Sequence, residues 1–383
     1  MKMLHLGDLH FGKAVNGFSM LEDQRYIVNQ IYELIEREHI EAVLMAGDIY
    51  DRSIPGGEAV TLFDDFLTRL RGLGTAVFVI AGNHDSAERL NFAGRLLEDE
   101  RIYFACQVQE SIKKVTLTDE YGALNIFMLP FIKPLSVRAL YGDDTIHTFD
   151  DAVRACIAHT QIDTKERNII MTHHFVVAGS EKPELSDSEV VLSVGGIDEV
   201  NVDCFDSFDY AALGHIHRPQ RIGRDTVRYA GSILKYSFSE ANTDKVLTVV
   251  ELKEKGNVSV QLFKLNPLRD MRKIKGSLKA LTSEDILSLE NREDYIHVTL
   301  TDKEALIEPM NSLRSVYPNV MQLSFERKEM KAAQQQSACG HTVQKQKLEL
   351  FGDFYELVTG ESLDEREFAV MKEVVDEAEK TDA

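Results

Sequence analysis

At 383 residues the chain is too long for a single small core, so two domains with an appended tail are expected. Its 44% hydrophobic and 28% charged content is that of a soluble globular protein, and no apolar run approaches the roughly 18 residues that cross a bilayer, which excludes a spanning helix. The formal net charge of −20 argues against a chain that grips nucleic acid by itself through phosphate neutralisation. That objection weakens where cations cover acidic groups, where acid gathers in the tail, or where a partner supplies the grip.

Met1-Lys2 leads directly into an apolar strand, without the apolar stretch and cleavage site of a secretory leader, which points to the cytoplasm. Leu4–Gly7, Ala42–Ala46 and Ala76–Ile80 read as buried strands, while Leu21–Glu38 and Glu58–Leu73 carry apolar residues at helical spacing. This alternation implies a layered α/β domain. Further strands are predicted at Ile126–Leu129, Ile169–Thr172, Tyr210–Leu213, Lys245–Leu252 and Val258–Lys264, giving a β-sandwich flanked by helices over residues 1–266. After Asn266-Pro267 the character changes, and Tyr295–Leu300, Leu306–Val316 and Val320–Glu326 read as a strand, helix and strand of a second, small α/β domain over 267–330. The stretch 331–346 is polar and linker-like, and 347–383 holds a helical pair, near Leu348–Val358 and Asp364–Glu379. Cys106, Cys156, Cys204 and Cys339 are scattered with no C-x-x-C pair, which argues against a zinc ribbon or disulfide framework and leaves buried or incidental thiols.

The informative feature is where polar residues sit. Strand one runs into Asp8-Leu9-His10, strand two into Gly47-Asp48-Ile49-Tyr50-Asp51, and strand three into Gly82-Asn83-His84-Asp85. Thr172-His173-His174 and Gly214-His215-Ile216-His217 follow later strands in the same way. Strand ends on one edge of a layered sheet converge on one cleft, so five distant clusters can meet. Carboxylate, amide and imidazole donors together suit borderline-hard divalent cations such as Mn²⁺, with iron or zinc as alternatives. One carboxylate can bridge two ions, and Asp48 is the natural bridge. Glycines before Asp48, Asn83 and His215 allow sharp turns near the ions. Each piece alone is more often a turn or a cap. Five in order, each directly after a strand, carry the specificity.

With these residues in place, the chain resembles the calcineurin-like metallophosphoesterases, whose signature runs D-x-H, G-D-x-x-D, G-N-H-D, H, G-H-x-H. Leu21-Glu22-Asp23-Gln24, Ser186-Asp187-Ser188-Glu189, the segment 208–217 and the segment 231–240 extend the resemblance to the nuclease subunits of bacterial double-strand-break complexes. The resemblance implies one ion on Asp8, His10, Asp48 and His217, and a second on Asp48, Asn83, His173 and His215. It gives His84 a catalytic role facing the scissile phosphate, and Asp51 the role of a carboxylate orienting His84, against the plainer reading of a turn cap. Adjacent strand residues point to opposite faces, so only one of His173 and His174 reaches the cleft. The family pattern favours His173, leaving His174 to line the cleft or face solvent. The resemblance further implies Mn²⁺-dependent cleavage of double-stranded ends in the 3′-to-5′ sense and of hairpin DNA, with a DNA-contacting cap and a two-fold homodimer. It also implies a coiled-coil ATPase partner docked on the C-terminal helices, which could instead pack on their own domain. Helices Leu21–Glu38 and Glu58–Leu73 are the candidate dimer elements. The competing functions are a small-molecule phosphodiesterase on the same fold, since a fold does not fix its substrate, and a non-catalytic ATPase adaptor.

Overall fold

The computed structural model describes residues 1–189, 196–283, 291–302, 304 and 306–326, with positions 351, 352, 355, 362, 364, 366–372 and 374 beyond them. In chain order its principal strands begin with β1 (Lys2–Leu6), β2 (Ala42–Ala46), β3 (Ala76–Ile80), β4 (Ile102–Ala105), β5 (Lys113–Asp119) and β6 (Gly122–Met128). They continue with β7 (Arg167–Thr172), β8 (Tyr210–Leu213), β9 (Gln220–Ile222), β10 (Arg224–Tyr229), β11 (Val246–Leu252) and β12 (Val258–Lys264). The last three are β13 (Met271–Gly276), β14 (Tyr295–Leu300) and β15 (Val320–Phe325). The main helices are α1 (Leu21–Glu38), α2 (Gly57–Gly72), α3 (Pro134–Tyr141), α4 (Phe149–Ala158) and the short α5 (Pro309–Arg314).

Two six-stranded sheets face each other, ordered β12-β11-β1-β2-β3-β4 and β9-β10-β8-β7-β6-β5. Strands β1 to β4 run parallel, as do β6, β7, β8 and β10, while β11, β12, β5 and β9 add antiparallel. The side-chain period of two sorts the core into layers. Met3, Leu44, Phe78, Ile126, Met171, Tyr210 and Val250 fill the space between the sheets. Their neighbours Leu4, Val43 and Val77 point outward under α1 and α2, and Phe127, Ile170 and Ala211 belong to the opposite outer layer with residues of α3 and α4. Strands covered on both faces are almost wholly apolar, which is why β2 and β3 read as continuous apolar runs, whereas β1 carries buried His5, whose Nδ1 lies 3.0 Å from Tyr210 Oη. Helix α1 buries Ile27, Val28, Ile31, Leu34 and Ile35, one stripe at helical spacing.

The expected sandwich flanked by helices is therefore present, and α1, β2, β3, β8, β12 and β14 carry the expected bounds. Strand β6 starts earlier than the apolar run suggested, because it pairs along its whole length with β5, whose exposed positions are Lys114, Thr116 and Thr118. Helix α5 is shorter than the apolar spacing implied: Glu308 takes a left-handed conformation and Pro309 opens the helix. The small unit also has a third, unforeseen strand: β13, β14 and β15 form a parallel sheet in that order, with its own apolar cluster of Ile296, Val298, Leu300, Leu313 and Tyr317. The three described cysteines are buried free thiols; Cys339, the linker 331–346 and most of the tail helices lie outside the described residues, where 366–372 are helical. Among the described residues no helix is long and apolar enough to cross a membrane.

One buried cation ties the two sheets. Arg167 on β7 donates to Asp119 through Nη1 (3.1 Å) and Nη2 (2.6 Å), and to the carbonyls of Ala123, Gly122 and Lys253 (3.2, 2.6 and 2.9 Å). The N-terminal ammonium meets Asp119 from the other side at 2.9 Å. Burial opposes ionisation of Asp119, yet Arg167 and the ammonium hold its carboxyl down at about 2. A depressed carboxyl stabilises the fold fully above its ordinary range and loses that contribution as pH falls through the folded value. Arg167→Leu should therefore lower stability by about 3 kcal/mol at neutral pH. In urea titrations the gap from wild type should narrow as pH drops from about 4 towards about 2; a constant gap would contradict this account.

Candidate metal centre

Both sheets point their parallel strands at the same edge, and there the loops interlock. Asp8 N donates to Gly47 O (3.1 Å) and His10 N to Asp48 O (2.9 Å), laying the loop after β1 along the loop after β2. From the other sheet, Gly214 N donates to Thr172 O (3.0 Å), and His215 N donates to both oxygens of Asp8 (3.0 and 3.1 Å). The turns are tight enough that Asp8, His10, Asp48 and His215 have φ of 52°, 45°, 51° and 94°. Close approach also requires glycine at two positions. A Cβ on Gly82 would lie 2.1 Å from Asp48 Oδ1, and one on Gly214 would lie 2.0 Å from Ala46 O.

All seven expected ligand positions meet at this edge. His10 Nε2 lies 3.0 Å from His217 Nε2 and 3.7 Å from Asp48 Oδ2. His173 Nε2 lies 3.1 Å from Asn83 Oδ1 and 3.4 Å from Asp48 Oδ2, and His215 Nδ1 lies 3.1 Å from the same Asn83 oxygen. Three sets offer donor atoms within 4.8 Å of one another: Asp8, His10 and His217; Asp8, Asp48 and His173; and His10, Asp48 and His84. Asp8 and Asp48 each serve two sets, as a shared cluster requires.

His84 stands apart by exposure: its side chain is 34% accessible, against 3% or less for His10, Asp48, His173 and His217. Its main-chain N donates to Asp48 Oδ1 (2.9 Å). The Asp51 assignment needs correction. His84 Nδ1 faces the main-chain carbonyl of Asp51 (2.9 Å), while the Asp51 carboxylate pairs with Lys13 Nζ (2.6 Å) and lies 3.8 Å from His10 Nδ1. A carbonyl only accepts, so Nδ1 carries a proton and Nε2 is the ring atom left for chemistry. His174 neither lines the cleft nor meets solvent. It is buried, stacked on Phe131, with Nε2 accepting from Ile132 N (3.3 Å) and Nδ1 facing Thr172 Oγ1 (2.7 Å), because strand parity turns it into the outer core.

The donor set fits divalent cations on electrostatic grounds. His173 Nδ1 faces Ala46 O (2.7 Å) and so holds the proton of a neutral ring. Its Nε2 lone pair would then point at Asn83 and Asp48 oxygens, a repulsive arrangement unless a proton or a cation sits between. Burial opposes a proton there, but Asp48 and Asp8 favour it and raise His173 to about 9. The same partnership, against the opposing effect of burial, keeps Asp48 well below the usual carboxylate range. Burial pulls His10 down and lowers His215 to about 3, leaving neutral donors, while it pushes Asp8 up. Buried carboxylates among neutral imidazoles call for positive charge, which two divalent cations would supply.

Several supports were not legible in the sequence. Asp85 accepts from the main-chain N of Ile49 (3.2 Å), Tyr50 (3.0 Å) and Gly82 (2.9 Å), clamping the second and third loops together. Ser188 Oγ lies 2.8 Å from His217 Nδ1 and donates to Glu240 (2.9 Å), which pairs with buried Lys245. Lys245 Nζ in turn donates to His217 O (2.7 Å). Gln24 and Tyr236 hold the main chain of Leu9 and His10. Gln24, Ser188, Tyr236 and Glu240 were signalled only as members of the segments 21–24, 186–189 and 231–240, Asp85 as the last residue of Gly82-Asn83-His84-Asp85 and Lys245 as the start of a predicted strand, none of which assigned a role.

The family model of calcineurin-like phosphoesterases matches residues 1–219, and that of the type 5 capsule protein repressor C-terminal domain matches 267–359. The chain is 34% identical over 327 residues to the SbcD subunit of the nuclease SbcCD from Staphylococcus epidermidis, covering 85% of each sequence. A crystal structure of a dimetal phosphatase from Danio rerio aligns with TM-score 0.39 and 10% identity, over 70% of this chain and 98% of that one. With the phosphoesterase model spanning more than half its length and a relative this similar over most of it, the chain belongs to the calcineurin-like phosphoesterases, in the group of the SbcD nuclease subunits.

Proposed function

We propose that this chain is the nuclease subunit of an SbcCD-type complex, hydrolysing DNA phosphodiesters with two divalent cations, Mn²⁺ in the first instance. The observation that carries the reading is the sharing of Asp8 and Asp48 between donor sets that also contain His10, His173 and His217. One cation would be held by Asp8, His10, Asp48 and His217, the other by Asp48, Asn83, His173 and His215. Bound there, the pair supplies a metal-activated water and neutralises charge on phosphate oxygens.

The chain's own residues do the rest. His84, whose ring is partly accessible, stabilises the phosphate and protonates the departing 3′-oxygen through Nε2. The Asp51 carbonyl fixes its tautomer, which makes Asp51 a positioning residue acting through its main chain. Asp85 keeps the loops bearing Asp48 and His84 in register. Residues 267–330 act as the DNA-contacting cap of the nuclease domain 1–266, and 347–383, beyond the linker 331–346, dock on an SbcC-type coiled-coil ATPase. The partner provides ATP dependence and most of the DNA grip, in keeping with a net charge of −20 on this chain. A homodimer would place two such sites in one heterotetramer with SbcC. The apolar surface suited to it lies beside the third loop, where Phe92 is 82% and Leu96 77% exposed. On α1 and α2 the exposed large apolar residues are Tyr26 at 40% and Val60 at 44%.

Hairpin DNA, linear duplex and a generic phosphodiester, presented in Mn²⁺ with and without the ATPase, test this function. Asp48→Ala should abolish binding of both ions. His84→Ala should retain both while slowing DNA cleavage about 100-fold or more; loss of both ions from the His84 variant would contradict the division of roles, and hydrolysis confined to small esters would favour a different phosphodiesterase. Deleting residues after Gln346 should abolish co-purification with the ATPase and leave hairpin nicking detectable; a truncated chain that still co-purifies overturns the docking assignment. Phe92→Asp should halve the mass seen in sedimentation, and an unchanged dimer would place the interface elsewhere.

A further inference from the structure

Two pairs of adjacent residues link the three-stranded unit to the metal-site loops. On α1, Asp23 accepts from Tyr295 Oη (2.8 Å) and Arg269 Nη1 (3.2 Å), both beyond Pro267. The next residue, Gln24, donates to His10 O (2.8 Å) and accepts from Gly12 N (3.0 Å). On the loop after β10, Lys235 Nζ meets Asp270 at 2.8 Å. Its neighbour Tyr236 donates to Leu9 O (2.7 Å) and sets its ring edge-to-face against His10 (5.7 Å) and His217 (5.9 Å). The two inner members also bond each other, Gln24 Nε2 to Tyr236 Oη (3.0 Å). Asp23, Gln24, Tyr236 and Tyr295 are all buried, so none can move without disturbing its neighbours. By contrast, His173 is held by Ala46 O at the sheet edge, and Asn83 faces His173 and His215, with no bond to the small unit among the described residues.

We propose that the three-stranded unit is a positioning element of the metal site. Asp23-Gln24 and Lys235-Tyr236 carry its placement to His10 and His217, and so to one of the two cations. The inference rests on the two-cation reading above. Tyr236 and Gln24 act as positioning residues, fixing ligand rings and loop backbone as partners behind metal ligands do. Because coupling between sites is reciprocal, filling the His10–His217 position also fastens the unit.

The test uses the full chain carrying Tyr295→Phe and Lys235→Met, singly and together, with Lys235→Arg as the conservative control. Mn²⁺ is titrated into metal-free protein by calorimetry, and amide exchange is followed over residues 268–276. The combined variant should bind one ion about 10-fold more weakly and the other as wild type does. Mn²⁺ should add protection over 268–276 in wild type and in Lys235→Arg but not in the combined variant. Two unchanged affinities, or two weakened by the same factor, would overturn the coupling while leaving the metal site standing. A wild-type chain that binds no pair of ions would instead remove the two-cation reading, and this proposal with it.

Discussion

Two carboxylates buried side by side set the terms for everything around them. Asp8 and Asp48 lie at the meeting edge of both sheets, withdrawn from water, and neither can keep its charge there without compensation. Their charge is met by His173, which Asp48 and Asp8 raise, and by the main-chain amides of His84 and His215. Each of these donors is brought by a different strand end. The doubly covered strands, the parallel order and the tight loops can all be understood as what holds those ends still.

Much of this arrangement was legible in the sequence alone. Continuous apolar runs announced β2 and β3, and β1 despite its buried His5, because strands covered on both faces leave few polar positions to blur the pattern. The metal-binding residue types stood directly after those runs, and the parallel sheet implied their convergence. Strand parity correctly separated His173 from His174. It could not say where His174 would go, since that depends on Phe131 and Ile132 from a loop with no periodic signature.

What escaped was structure written in pairings rather than in patterns. Strand β13 reads as a string of charges because it is the edge of a small sheet, with Lys273 and Lys275 exposed. The Asp51 carbonyl behind His84 carries no side-chain signal at all, since every residue has a carbonyl. Ser188, Glu240 and Lys245 are ordinary polar residues until the fold encloses them behind His217. Long-range polar partnerships of this kind depend on tertiary placement, and local propensity does not encode them.

The left-handed turns at Asp8, His10, Asp48 and His215 reach further than local geometry. Aspartate and histidine are among the few side chains other than glycine that tolerate that region of backbone space. Glutamate offers the same donor oxygens on a longer arm but enters that region less readily, as it does here at Glu308, and β-branched residues enter it least. The vocabulary of the motif is therefore restricted twice, once by what a cation will accept and once by what the main chain will permit. A search for cousins of this centre that admits any acidic residue at those places is too generous on the second count.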